Sequence, residues 1–451
     1  MNFDHFANVS KDLASRTVAN SHEYYNPHSD HFLGKTAYDM LEESKRIMQT
    51  LFPMYKTIEF IPSGGSLANV RALLENDKIK NIAVPEINDV IMMSSIEHSS
   101  ISKKIMFQLN SKGYVIVIIP ITKDGIVDIA KFEELFKKYA LRTIIVSCMS
   151  VNNEIGTIQP INEIVRLVKS YNNDTIVHSD SSCNLPLILT LDSSNLPDII
   201  TCSCYKFGGP HLGILFSNVK LKQDMYGTPD VENSYFSALA CQRYVLSYNS
   251  HMEELSHFKS ELKSILYSEL VANSIEFIDA DSIHCVGNVL SFVIIGLKTS
   301  LIQQKLNDMK IAIGSGSACT TDAGSHTILA MGYNKDISQQ LVRLSFDYVD
   351  TSIIHTFVDS FVSCVNSLKF IKKDTGIKTN IIQSVTIMSS SRKAPELNTI
   401  PHFDIHGIGK SMINTIILSS ADQSLKGGNK DRFDSIMRHT IEELLKKKLI
   451  K

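Results

Sequence analysis

Four short stretches carry side chains whose types suit chemistry better than packing. In "CSCYKFGGP" (202–210), Lys206 follows directly on an apolar run and precedes two glycines and a proline. Lysine is ordinarily a solvated surface group, but one at a strand end in a crevice can lose its water, as Schiff-base chemistry requires. Asp180 ends the strand-like run "TIVHSD" (175–180). In an open parallel sheet that end faces the ligand crevice, where a carboxylate either caps a helix or holds a protonated ring nitrogen. "IPSGGSLANVRALL" (61–74) reads as a strand end, a Gly-Gly turn and a helix starting near Ser66. Its first N–H groups would face an anion, or Ser66 would simply cap a tight turn. Finally, "GSGSACTTDAGS" (314–325) sets one thiol, Cys319, among small residues that cannot pack a core. A turn for an anion, an acidic strand end and a crevice lysine together fit one cofactor, pyridoxal phosphate.

The elements that must position these groups alternate between strand and helix patterns, the signature of an α/β domain. "RTIIVSCMSV" (142–151) reads as a buried parallel strand. Pro160 then opens a helix whose apolar face is Ile161, Ile164, Val165 and Val168. Strands follow at 175–180, 198–204 and 212–217, read as βαβ-like connections. Upstream, residues 35–52 form a helix with Ala37, Met40, Leu41, Ser44, Ile47, Met48 and Leu51 on its buried side, stopping before Pro53. A helix over 251–270 leads to a smaller domain with "NVLSFVIIGL" (288–297), the Cys319 segment and a helix from about Thr351 or Ser352. Along that last helix Phe357, Phe361, Cys364 and Leu368 recur at helical spacing, which marks Cys364 as core. We expect a large domain over 15–260, a small one from 1–14 and 261–371, and an appendage over 372–451 that ends in a helix.

Composition bounds the function. Forty-five Lys and Arg against 47 Asp and Glu leave a formal charge of -2, so nothing argues for nucleic acid or a membrane surface. The longest apolar runs are too short to span a bilayer. The N-terminal "MNFDHFANVSKDLASR" indicates neither secretion nor organelle import. Eight cysteines in 451 residues make no disulfide framework, and the Cys202/Cys204 pair is weak evidence for a metal, so none is expected. A reducing, cytoplasmic setting is the simplest reading.

The same stretches carry a family resemblance. "YNPHSDHFLG" (25–34), "SGGSLAN" (63–69), "SIEHSSI" (95–101), "VNNEIGTIQPI" (151–161), "HSD" (178–180), "SCYK" (203–206), "SGSACTT" (315–321) and "VRLSF" (342–346) occur in order. Together they resemble the cysteine desulfurases of the NifS/IscS type, within the class V aminotransferase family. The resemblance implies the fold of pyridoxal-phosphate-dependent transferases, with a large, mainly parallel α/β domain and a smaller α+β domain. It implies that Lys206 holds the cofactor and Asp180 pairs with its ring nitrogen, that His98 stacks on the ring, and that Asn153 contacts both ring and substrate. Gly65, Ser66 and Ser203 would bind the phosphate, and Arg343 the substrate carboxylate. Cys319 would take sulfur from L-cysteine as a persulfide, leaving alanine, and pass it to an acceptor protein, iron–sulfur cluster assembly being one destination. A homodimer is implied as well.

Four departures stand out against the family pattern. Tyr205 replaces a phosphate-binding histidine, and Cys183 replaces a glutamine that bonds the ring oxygen. A segment that reaches the partner subunit's phosphate is missing, and the first strand is reduced to "HFANVS" (5–10). An impaired scaffold of the same fold, selenocysteine lyase, or another lyase using the same cofactor are the alternatives.

Overall fold

The computed structural model describes residues 1–4, 25–80, 89–221, 227–270, 274–278, 282–316, 324–347 and 352–375. It divides into a compact unit Met1–Phe370 and a second unit Ile371–Lys451. The expected terminal helix, the "HFANVS" stretch and Cys319 lie outside the described residues.

Two sheets organise the first unit. The larger contains β2 (Thr57–Pro62), β3 (Val90–Ser94), β4 (Val115–Ile119), β5 (Thr143–Ser147), β6 (Ile176–Asp180), β7 (Ile199–Ser203) and β8 (Leu212–Ser217), in the order β2-β8-β7-β6-β5-β3-β4. Strands β4, β3, β5, β6 and β7 run parallel, so β3, β5, β6 and β7 deliver their carboxyl ends to one edge. A parallel strand buried on both faces needs apolar residues at successive positions. Met93, Ile145, Ile176 and Ile199 pack on one face against Ala68, Ala72 and Leu73. Met92, Val146 and Val177 pack on the other against Phe132, Phe136, Ile164 and Val168.

Among the helices on these faces are α1 (Phe32–Leu51), α2 (Gly65–Leu74), α3 (Ile129–Tyr139) and α4 (Ile161–Tyr171). Helix α4 buries Ile161, Ile164, Val165 and Val168, as their spacing requires. Helix α1 buries Ala37, Leu41, Ser44, Ile47 and Met48, while Met40 and Leu51 are half-buried. One expectation is corrected. Strand β8 is antiparallel to both β7 and β2 and is not part of the βαβ run. Residues 204–211 are too few for a crossover, so the chain can only turn back. That tight turn is where Lys206 sits.

The smaller sheet takes β1 (Asn2–Phe3), β9 (Ile275–Phe277), β10 (Val289–Ile294), β11 (Ala312–Ser315) and β12 (Leu341–Ser345), in the order β1-β11-β12-β10-β9. Helix α5 (Val231–Glu269) runs unbroken past residue 260. Its Ala238 and Cys241 pack in the core around α1, while its Leu255, Phe258, Leu262 and Leu266 pack under the smaller sheet. Helices α6 (Thr299–Asp308), α7 (His326–Ala330) and α8 (Ile353–Thr375) follow, with a further short helix at Lys335–Ser338. Phe3 from the chain's start lies 4.0 Å from Phe357 on α8, and Phe361 meets Phe292 edge-on at 5.7 Å.

Phe361 has no exposed surface. Truncating it to alanine removes its transfer energy and leaves a cavity, together about 3–5 kcal/mol. Urea unfolding of Phe361→Ala should show a loss of that size; a loss below about 1 kcal/mol would mean that this aromatic cluster does not hold the smaller sheet.

Candidate active site

Strand β2 ends at Pro62, and the chain enters α2 through Ser63 and Gly64, at φ +67° and +76°. Left-handed backbone is easy for glycine and strained for serine, so this turn is held by its surroundings. The helix N-cap is Gly64, with no side-chain cap; Ser66 lies inside the first turn and is not the cap that one sequence reading allowed. Here the helix presents N–H groups that have no partner within it. A Cβ on Gly65 would stand 2.9 Å from Ser182 Oγ and 3.1 Å from Ser203 Cβ, so only glycine fits. Ser203, 4% exposed, has an Oγ that is buried and without a hydrogen-bond partner. Tyr205 and His211 close this end of the cavity with their rings 5.2 Å apart.

The parallel strand ends supply the rest. His98 follows β3, Asn153 follows β5, Asp180 ends β6, and Lys206 follows β7; all four line one cavity with Gly65, Ser66, Ser203, Tyr205 and Cys183. Lys206 stands in a 3-10 turn closed by Gly208 at φ +83°, with its Nζ 3.9 Å from Cys183 Sγ. Burial pushes the Cys183 thiol up, and the Lys206 charge opposes it. Asp180, 5% exposed, accepts from Asn69 Nδ2 at 2.8 Å on one oxygen and from the Ser182 N–H at 3.0 Å on the other. Buried carboxylates are tolerated only with such donors.

His98 Nδ1 accepts the Ser100 N–H at 3.2 Å, so its ring hydrogen sits on Nε2 while the ring is neutral. Burial pushes its pKa down, the Asp180 charge opposes this, and the cations of Lys206, His326 and Arg343 add to the lowering. The Asn153 Oδ1 is buried without a partner.

Arg343 on β12 is 5% exposed and stands behind Asn153. Its Nη1 donates to the Asn153 carbonyl at 3.1 Å and its Nη2 to Asp4 Oδ1 at 2.5 Å. It does not line the cavity, but its charge reaches His98. Cys319 lies outside the described residues, yet positions on either side of it meet at Glu154. The Ser325 hydroxyl donates to Glu154 Oε2, and a Cβ on Gly316 would come within 3.0 Å of that oxygen.

A phosphorylated pyridine ring fits these residues. Ser203 Oγ and Asn153 Oδ1 are buried polar atoms awaiting partners, and the space at Gly65 is one that any side chain would fill. Sequence reasoning missed Asn69, Ser100, Ser182 and His211 in the lining. Asn69 and Ser100 had a signal, since each stands in a stretch already singled out. Among the described residues no cluster of side chains could hold a metal ion, and no helix is long and apolar enough to cross a membrane.

A mainly parallel sheet with a Gly-Gly turn into a helix on one side and a lysine and an aspartate at its strand ends is the architecture of the pyridoxal-phosphate-dependent α/β fold. The chain belongs to the aminotransferase class-V family, whose model matches residues 9–236 and 225–352. It is 27% identical over 342 residues to a "NifS/IcsS protein homolog" of Lactobacillus delbrueckii, covering 72% of this chain and 86% of that one. It is 26% identical over 349 residues to "Cysteine desulfurase, mitochondrial" of Arabidopsis thaliana, covering 71% and 72%. The solved structure of a "NIFS-LIKE PROTEIN" superposes with a TM-score of 0.70 at 24% identity, over 81% of this chain and 99% of that one.

Directly before His98, Glu97 is wholly buried; its Oε1 accepts from Ser94 at 2.6 Å and from the Met149 N–H at 2.8 Å. Burial, reinforced by the Asp180 charge, raises its pKa from 4.5 to about 7. The folded state therefore holds this proton more tightly than the unfolded chain. The stability it contributes is complete below pH 4.5 and is lost as pH rises through about 7. Glu97→Gln carries no charge at any pH. Going from acid to pH 8, it should gain roughly 3 kcal/mol relative to the unmodified chain in urea unfolding. Parallel pH profiles for the two proteins would contradict this.

Proposed function

We propose that this chain is a cysteine desulfurase that uses pyridoxal phosphate. The carrying observation is the convergence of His98, Asn153, Asp180 and Lys206 on one cavity, beside an uncapped helix start and a buried Ser203 hydroxyl that lacks a partner. The family membership and the names of the relatives support the same reading. Bound there, the cofactor would supply an electron sink that makes the C–S bond of an amino-acid substrate breakable.

The chain's own residues divide the remaining work. Gly65, Ser66 and Ser203 would hold the phosphate, with the Tyr205 hydroxyl in the place of an imidazole. Lys206 would be the covalent anchor, Asp180 would accept from the ring nitrogen, and Asn153 would contact the ring and the substrate. His98 would cover the ring and offer a neutral Nε2–H to the substrate. Arg343, held behind the cavity by Asp4 and the Asn153 carbonyl, is the cation that would attract the substrate carboxylate, its charge already reaching His98. The Cys319 thiolate attacks the sulfur of L-cysteine: the C–S bond breaks, an S–S bond forms, and the carbon takes a proton to give alanine. The products, a persulfide and alanine, balance the two thiols consumed. We place the active form as a homodimer that hands sulfur to an acceptor protein. A reducing, cytoplasmic compartment suits this chemistry, and the seven described cysteines are all free.

Brief incubation of the cofactor-loaded protein with L-cysteine, followed by intact mass and peptide mapping, tests the reading. We expect one added sulfur atom on the Cys319 peptide, alanine in solution, and neither with Lys206→Ala. A loaded protein that gains no sulfur would contradict it.

A further inference from the structure

Beneath the cavity runs a continuous line of buried polar groups from β5 to the two ends of the site, and each hydrogen bond in it has a fixed direction. Asp180 can only accept, so the amide nitrogen of Asn69 faces its Oδ2, at 2.8 Å. The amide oxygen therefore faces away and accepts from the Thr201 hydroxyl. Thr201, having given up its hydrogen, accepts from His178 Nε2 at 3.0 Å. His178 Nδ1 then accepts from the Ser147 hydroxyl at 3.0 Å. At the other end, the second amide hydrogen of Asn69 points to Ser100 Oγ at 3.3 Å. The Ser100 hydroxyl stands 2.9 Å from His98 Nδ1, whose one lone pair it shares with the Ser100 N–H at 3.2 Å. Asn69 is 1% exposed and His178 not at all. Burial pushes the His178 pKa down to about 4, so the ring stays neutral across ordinary pH and the line keeps one polarity.

We infer that Asn69 is a positioning residue that aims the Asp180 carboxylate at the ring nitrogen and ties it, through Ser100, to His98. One amide gives one hydrogen to Asp180 and the other to Ser100, which contacts His98, and its oxygen is fixed from behind by Thr201 and His178. Without it, Asp180 keeps only the Ser182 N–H among these donors, and Oδ2 is free to swing. A carboxylate with fewer donors is more basic and draws the proton it shares with the ring nitrogen toward itself. With the cofactor bound, Lys206 would then sit beside a less positive group, and its nitrogen would hold a proton more readily. The inference rests on the cofactor reading of the preceding section.

Two variants of the full-length, cofactor-loaded protein test it, with the visible absorption band of the lysine-bound cofactor as readout. In Asn69→Ala the band should persist, its pH midpoint moving up by about half to one unit. The kcat should fall about 10- to 100-fold with KM within about threefold, since alignment and not binding is lost. Asn69→Asp keeps the shape and the Thr201 contact but regains a donor toward Asp180 only when protonated. Its kcat relative to the unmodified enzyme should therefore climb as pH falls. An unmoved midpoint in both variants, with activity falling only as far as the melting temperature does, would reduce Asn69 to packing and overturn the inference alone. Absence of any lysine-dependent band in the unmodified protein, judged against Lys206→Ala, would overturn the cofactor reading and the inference with it.

Discussion

The site is organised around a carboxylate that the fold has taken out of water. Asp180 is 5% exposed at the end of a strand with no exposed residue, and a charge there is stable only with donors on both oxygens. Asn69 from α2 and the Ser182 N–H provide them. Meeting that demand fixes α2 against β6 and β7. The same placement opens the first turn of α2 beside Ser203. Burial of one charge thus sets the spacing between the two ends of the cavity.

The second requirement is that groups from distant parts of the chain arrive together. Parallel strands do this by delivering successive loops to one edge, and His98, Asn153, Asp180 and Lys206 come from four such loops. The smaller sheet adds Arg343, whose guanidinium bonds to Asp4 at one end of the chain and to the carbonyl of Asn153 in the larger sheet's loop. The N-terminal strand thereby joins the site indirectly, through a cation that also depresses the pKa of His98.

Much of this was legible from periodicity and strand-end chemistry. The apolar face of α4, the Gly-Gly turn, Asp180 and Lys206 are local features, each written within a few residues of sequence. What stayed hidden depends on pairing across the chain. Asn69 reads as an unremarked polar position in a short helix because its partners lie 31, 111 and 132 residues away. The ion pair of Arg343 with Asp4 spans 339 residues. Helix α5 began earlier than its pattern suggested because its two halves face different cores, which smears any single apolar stripe. The reversal of β8 was readable from the brevity of the 204–211 connection, and the run of apolar strands obscured it.

The central claim is that these strand ends form one pyridoxal-phosphate site anchored on Lys206. Reductive trapping of the cofactor on the apo-protein, followed by peptide mapping, tests this most directly. The account predicts a single phosphopyridoxyl group on Lys206, and none when the phosphate-free aldehyde is offered at the same low concentration. Labelling spread over surface lysines, or equal labelling with and without the phosphate, would contradict it.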